Sequence, residues 1–173
     1  MIASKRIRFN RELCGYKYNF RKMKHQISKM VFQVAKFGLI LVFTYTGISK
    51  LSGHEQFAAQ LDLQSIFAPI SLFLSWLLPV VELLIVLFIL FERTLLLGLI
   101  SATFLMTAFT IYIGGMLLFQ RSLPCSCGGV IAQMTWKEHL IFNFFFMCLA
   151  WIALIYNYKQ TTQRISTNTK EVS

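Results

Sequence analysis

The stretch ISLFLSWLLPVVELLIVLFILF, residues Ile70–Phe91, decides the fold of this chain, because Glu82 is its only charged side chain. An α-helix needs about 20 mostly apolar residues to cross the roughly 30 Å hydrocarbon core of a bilayer. Three further segments of the 173-residue chain meet this requirement, at about Met30–Leu51, Thr94–Phe119 and His139–Tyr156. The sequence therefore predicts an all-α, polytopic membrane protein, built as a four-transmembrane-helix bundle.

The composition argues against an ordinary soluble domain. Hydrophobic residues make up 56% of the chain, whereas soluble domains usually contain roughly 45–50%. We predict a four-helix membrane domain at residues 30–158, flanked by a basic tail at residues 1–29 and a polar tail at residues 159–173. Little of the chain is left over for a soluble domain.

The positive charges are distributed unevenly along a chain of net charge +10. Lys and Arg cluster before the first span, in the second connection at Arg93 and after the fourth span, whereas the other two connections hold only Lys50, Arg121 and Lys137. The positive-inside rule therefore predicts cytoplasmic N- and C-termini. Contacts with anionic lipid headgroups explain the basic tail, so we expect membrane lipids and no nucleic acid as partners.

The three connections differ in character. Ser52–Pro69 alternates apolar with polar residues, a pattern that predicts a short amphipathic helix in the membrane interface. Glu92 and Arg93 predict a tight cytoplasmic turn between antiparallel helices. Gln120–Glu138 is the longest irregular connection, and the charge pattern places it on the outer side of the membrane.

Each predicted span carries one stripe of small or polar residues at three- and four-residue steps. We expect these stripes to face the bundle axis, where such residues allow helices to approach closely and to form hydrogen bonds with each other. In chain order the stripes are Gln33, Lys36, Ile40, Thr44 and Gly47; Ser75, Pro79 and Glu82; Thr103, Thr107, Thr110 and Gly114; and His139, Asn143 and Met147.

Cys125 and Cys127 form a C-x-C pair in the outer connection. On the oxidising side of a membrane, two neighbouring thiols can cycle to a disulfide. A disulfide across one residue closes a small, strained ring, and strained, exposed disulfides are the more easily reduced ones. Gly128 and Gly129 permit backbone angles that other residues resist and leave room for a docking chain. The pattern favours a redox pair, with an inert staple and metal ligation as alternatives.

The other two cysteines are expected to play no part in this chemistry. Cys14 precedes the first span, on the predicted cytoplasmic and therefore reducing side. Cys148 lies near the middle of the fourth span, about half a turn out of phase with its polar stripe. A buried cysteine usually behaves as a small hydrophobic residue.

Glu82 is the second candidate for function, because an intramembrane carboxylate is energetically expensive. Without solvent it must stay protonated or pair with a cation. The nearest candidate cation is Lys36, in the cytoplasmic third of the first span. The alternative is a protonated Glu82 that donates to a backbone carbonyl freed by Pro79.

His139 and Asn143 are one helical turn apart at the outer mouth of the fourth span. A protonated histidine near a thiol would favour the thiolate, the form that attacks disulfides, although a histidine at this position is often merely interfacial. Together Cys125, Cys127, Met134 and His139 also form a soft ligand set that could hold Cu(I).

Three of these features carry a family resemblance. Gly47-Ile48-Ser49-Lys50-Leu51 closes the first span, Pro79 precedes Glu82 in the second, and the cysteine pair with its trailing glycine precedes the fourth. Together they resemble the MauE/DoxX family of redox-associated bacterial membrane proteins, in particular the methylamine-utilisation MauE branch. The likeness covers about Met30–Tyr158. This chain has Gly128-Gly129 where the family motif commonly continues with Phe and Gly.

The resemblance implies a four-helix bundle in the bacterial cytoplasmic (inner) membrane. It also implies work beside a periplasmic thioredoxin-fold partner in forming or maintaining disulfides in exported proteins. On that analogy Cys125 and Cys127 are the exchanging pair, and Gly47, Lys50, Pro79 and Glu82 shape the bundle.

Three classes of function follow. The first is a membrane component of a thiol–disulfide oxidoreductase system that exchanges disulfides through Cys125 and Cys127, with no resident cofactor. The second is a Cu(I)-binding membrane protein that uses both thiols, Met134 and His139. The third is a non-catalytic assembly or tethering subunit whose outer connection docks a partner.

Overall fold

The computed structural model describes residues 2–63, 67–119 and 135–172, and the regular structure within these ranges is helical throughout. Within these ranges, five α-helices follow one another, with a 3₁₀ turn at Ala68–Ile70 between the second and the third. They are α1 (Ile2–Ser52), α2 (His54–Asp62), α3 (Ser71–Leu90), α4 (Leu95–Phe119) and α5 (Trp136–Val172).

Four segments of the described chain are long and apolar enough to cross a membrane. Each overlaps one predicted span, so the prediction of an all-α protein with four membrane-length helices is confirmed. The segments are Gln26–Ser52, Ala68–Leu90, Leu95–Leu118 and Lys137–Thr162. Helices α1 and α5 extend beyond these segments into the two polar tails. The cytoplasmic position of the termini stays a prediction.

The chain divides into two compact units, Met1–Val34 and Ala35–Ser173. The first unit is the N-terminal part of α1, which carries all the Lys and Arg residues of the basic tail at residues 1–29. The second unit contains the rest of α1 and all other helices. The candidate site lies entirely within the second unit.

Within the second unit, each of the four membrane-length helices touches two of the other three. Gly47 of α1 faces Leu83 of α3, and Gly38 of α1 faces the Phe146 ring of α5. Helix α4 packs against both α3 and α5. The order α1–α3–α4–α5 therefore closes into a four-helix bundle, in which helices joined by short connections are antiparallel neighbours.

The distribution of polar and apolar side chains suits lipid rather than water. The outer surface carries large apolar residues such as Phe104, which is 75% exposed, and Leu118, which is 81% exposed. Ser75, Glu82 and Asn143 are buried instead. Soluble proteins rarely expose so much contiguous apolar surface, and polar groups in membrane proteins face the bundle interior. The chain is a multipass membrane protein.

The hydroxyl groups of the α4 stripe bond within their own helix. Thr103, Thr107 and Thr110 each donate to the carbonyl four residues earlier, at 2.7 Å. Thr103 is also buried, as expected of a stripe that faces the bundle axis. A helical threonine reaches the carbonyl of the preceding turn without needing a partner helix, which satisfies the hydroxyl locally.

The predicted amphipathic helix of the first connection is present as α2. Its apolar side includes Leu61, which is buried, and it packs against α3. His54 and Ser75 join the two helices, with 2.9 Å between His54 Nε2 and Ser75 Oγ. Because Ser75 donates its single proton to the Leu72 carbonyl at 2.8 Å, His54 is the donor in this pair.

Gly98 allows α4 to start directly against the end of α3. A Cβ atom built at Gly98 would lie 2.7 Å from the backbone nitrogen of Ile89 and 2.9 Å from the carbonyl carbon of Phe88. The predicted tight turn at Glu92 and Arg93 is confirmed, and Thr94 fastens it by donating to the Phe88 carbonyl at 3.1 Å. No side chain fits between the two helices at this point.

We expect Gly98→Ala to destabilise the folded protein by about 1–3 kcal/mol, because overpacking forces backbone shifts. Gly115→Ala is the matched control, since a Cβ atom at Gly115 meets nothing within 4 Å. Thermal unfolding in detergent, followed by circular dichroism, measures both. Equal melting temperatures for the two variants would contradict this packing.

Candidate functional site

Glu82 forms an ion pair with Lys50 inside the bundle. Glu82 is 1% exposed, and it is charge-balanced by the ammonium group of a residue close to the end of α1. Of the two alternatives for Glu82, the structure shows the cation partner, but that cation is Lys50 and not Lys36. Lys36 precedes Lys50 by 14 residues, which places it about 21 Å farther along the helix axis.

The direction of helical side chains explains the choice of Lys50. Bonds from Cα to Cβ tilt toward the N-terminus of a helix, so the Lys50 side chain reaches back toward the level of Gly47. A Cβ atom at Gly47 would lie 3.2 Å from the Leu83 side chain and 3.4 Å from the Pro79 carbonyl oxygen. Gly47 thus brings α1 close to α3 where Glu82 lies.

The ion pair leaves hydrogen-bonding capacity unused. The second carboxylate oxygen, Glu82 Oε2, is buried and has no hydrogen-bond partner among the described residues. Lys50 Nζ also lies 5.5 Å from the centroid of the Phe57 ring and 5.1 Å from that of Phe109, within cation–π range. Two aromatic rings therefore flank the Lys50 ammonium group beside the Glu82 carboxylate.

A cavity of about 370 Å³ adjoins this pair. We call it the Lys50–Glu82 cavity. Its wall is mostly apolar and includes five aromatic rings, which belong to Phe57, Phe67, Phe109, Tyr112 and Phe142. Its polar lining residues are Thr46, Ser49, Lys50, Gln56, Glu82, His139 and Asn143.

The cavity lies at one end of the bundle, which we call the connection end. There α1 ends at Ser52, α3 begins at Ser71, α4 ends at Phe119 and α5 begins at Trp136. Lining residues come from all four helices and from α2. The 120–134 connection therefore leaves and rejoins the bundle at the same end as the cavity.

A capping box positions His139 at the start of α5. The Thr135 nitrogen donates to Glu138 Oε2 at 2.7 Å, and the Glu138 nitrogen donates to Thr135 Oγ1 at 3.4 Å. The His139 nitrogen donates to the Thr135 carbonyl at 2.9 Å, which closes the first helical turn. This reciprocal pattern determines where the helix begins and so brings His139 and Asn143 into the cavity wall.

The structure brings together four of the polar residues chosen from sequence, namely Lys50, Glu82, His139 and Asn143. Gly47 and Pro79 pack beside them. Lys36 is half-buried outside this group, and Cys148 is a half-buried free thiol.

The remaining predicted site residues lie outside the described part of the chain. They are Cys125, Cys127, Gly128, Gly129 and Met134. The redox pair and the Cu(I) ligand set therefore stay predictions. In residues 2–63, 67–119 and 135–172, no group of three or more His, Cys, Asp and Glu side chains is placed to hold a metal ion.

Two features of the site escaped the sequence analysis. The aromatic wall, including Phe109 and Tyr112, comes from helices distant in sequence. Because the chain contains 17 phenylalanines, the sequence alone does not indicate which of them line the cavity. The capping box did have a local signal, since Thr135-Trp-Lys-Glu138 matches the S/T-x-x-E pattern of a helix start.

Comparison with known proteins agrees with this architecture. The family model described as Methylamine utilisation protein MauE matches residues 28–156, which is most of the chain and includes the greater part of each of the four membrane-length segments. The chain belongs to the MauE family. No curated protein and no solved structure matches it. The resemblance inferred from the sequence is confirmed, and the Lys50–Glu82 cavity lies within the MauE-matching region.

We expect Lys50→Met to destabilise this MauE family member strongly, because it leaves a buried carboxylate without its cation. Breaking one partner of a buried ion pair costs about 3–5 kcal/mol in soluble proteins. The matched control is Lys36→Met on the same helix, which breaks no ion pair in the described structure. Thermal unfolding in detergent distinguishes the two.

The double variant Lys50→Met/Glu82→Gln should recover most of the loss, since it leaves no unpaired charge. A Lys50→Met variant as stable as Lys36→Met would show that the ion pair is not a structural requirement.

Proposed function

We propose that this MauE family member takes part in thiol–disulfide exchange at the periplasmic face of the bacterial inner membrane. Cys125 and Cys127 are the exchanging pair, and a thioredoxin-fold protein of the periplasm is the partner. The final recipients are exported proteins that need disulfides, and the family description suggests a role in methylamine utilisation.

The observation that carries the proposal is the location of the cavity. The Lys50–Glu82 pair and His139 lie at the end of the bundle from which the cysteine-bearing connection departs and to which it returns. We infer that the cysteine pair meets its partner at this end, because the connection that carries the pair begins after α4 and ends before α5 here. The rest of the described membrane domain offers an apolar scaffold that holds this end together.

The exchange requires two thiol groups and no metal. The thiolate of one cysteine attacks the disulfide of the partner, forms a mixed disulfide and displaces the other partner sulfur, which takes up a proton. The second cysteine of the pair then attacks the mixed disulfide. This step forms the Cys125–Cys127 disulfide and releases the reduced partner, so two electrons and two protons pass to the partner. The reverse sequence oxidises the partner.

We expect a variant that retains one of the two thiols to accumulate the mixed disulfide, because the resolving thiol is gone. Cys125→Ser and Cys127→Ser are tested separately in cells, and non-reducing mass spectrometry identifies the attached protein. One of the two should trap a thioredoxin-fold protein.

The matched control is Cys148→Ser, which removes a thiol inside the membrane and should leave trapping unchanged. Absence of any mixed disulfide in both single variants would contradict the proposal. Full biological function in the Cys125→Ser/Cys127→Ser double variant would favour a non-catalytic assembly subunit instead.

The proposed side of the membrane has its own test. After mild reduction of intact spheroplasts, a membrane-impermeant maleimide should label Cys125 and Cys127 but not Cys14, because the pair faces the periplasm. Permeabilised membranes supply the control in which Cys14 reacts as well. Labelling of the pair only after permeabilisation would reverse the predicted topology and refute periplasmic exchange.

A further inference from the structure

We propose that the Lys50–Glu82 cavity binds a neutral aromatic amphiphile that carries a hydroxyl group, a ligand of the phenol class. This inference rests on the ion pair and the cavity wall. It does not depend on thiol exchange, and it would stand if the cysteine pair proved inert.

The size and the apolar wall of the cavity determine the size and character of the apolar part of the ligand. Small-molecule sites usually measure about 300–1,000 Å³ and have mostly apolar walls with a few polar groups. The Lys50–Glu82 cavity, at about 370 Å³, falls in this range. Since a cavity of about 150 Å³ accepts one benzene ring, there is room for a ring with a short alkyl chain.

The ion pair determines which polar group the ligand must carry. An ammonium group has three donors, and in the described structure Lys50 Nζ contacts one carboxylate oxygen and two aromatic rings. Glu82 Oε2 is buried without a hydrogen-bond partner in the same part of the chain. Leaving a buried polar atom unsatisfied costs free energy. A ligand that both accepts and donates would complete the pair.

A hydroxyl group meets this requirement with a single oxygen atom. It accepts a hydrogen bond from Lys50 Nζ and donates its proton to the carboxylate of Glu82. Because the two side chains already neutralise each other, a charged ligand would leave a net charge in a low-dielectric site. The ligand is therefore neutral.

The aromatic lining favours a ring beside that hydroxyl. Phe57 and Phe109 flank the ammonium group, and Phe142 and Tyr112 lie on the same wall. Aromatic pairs in offset or edge-to-face contact gain more than their buried area alone provides. A phenol places its hydroxyl at the edge of such a ring.

The test compares three probes of nearly equal shape in lipid nanodiscs: 4-pentylphenol, its methyl ether 4-pentylanisole, and pentylbenzene. Isothermal titration calorimetry measures the binding of each, after subtraction of the signal from empty nanodiscs. We expect the phenol to bind at least about tenfold more tightly than the ether, because a hydrogen bond to a charged group has roughly this effect. Equal affinities for all three probes would refute the proposal and indicate a site for hydrocarbon chains only.

Two variants locate the binding. Glu82→Gln should remove most of the preference for the phenol, whereas Glu55→Gln, which changes an exposed carboxylate of α2, should keep it. Leu78→Phe enlarges a lining residue and keeps the ion pair, so it should weaken all three probes. If Glu82→Gln does not fold, unchanged phenol binding in Leu78→Phe still refutes the site.

Discussion

The absence of water inside a bilayer is the constraint on which this structure depends. A charged carboxylate at the middle of a membrane helix cannot be solvated, so it requires a cation from a neighbouring helix. Glu82 finds that cation in Lys50. The pair ties α1 to α3 and places two opposite charges beside a cavity that is otherwise mostly apolar. The buried Glu82 carboxylate, which is costly to bury without a partner, thus holds α1 and α3 together beside the cavity at the connection end of the bundle.

Close packing of the backbones makes that pair possible. Gly47 allows α1 to contact the backbone of α3 at Pro79, one turn from the lysine. Gly98 does the same for α4 at the opposite end of α3. Small residues bring membrane helices together because lipid supplies no hydrophobic force between them. The glycines therefore determine the spacing, and the ion pair adds specificity to it.

The proposed chemistry and the cavity share one end of the molecule. The connection with Cys125 and Cys127 begins after α4 and ends before α5, where the capping box orients His139 toward the cavity. Thiol exchange needs cysteines that a partner can reach, whereas ligand binding needs a mostly apolar cavity. An end that contains both would let a membrane-dissolved molecule and a periplasmic protein act on the same region of a MauE family member.

The amino-acid sequence by itself determined the four spans and the all-helical class, because membrane insertion follows from local hydrophobicity. Its motifs also indicated the family, and it singled out four polar residues that line the cavity, namely Lys50, Glu82, His139 and Asn143. Only the tertiary structure decided which lysine pairs with Glu82 and which aromatic rings surround it. Lys36 and Lys50 both lie on α1, and the choice depends on the axial level at which α1 meets α3, a property of two helices together. The threonines of α4, by contrast, donate within their own helix, because a hydroxyl takes the nearest acceptor, and this depends on local structure alone.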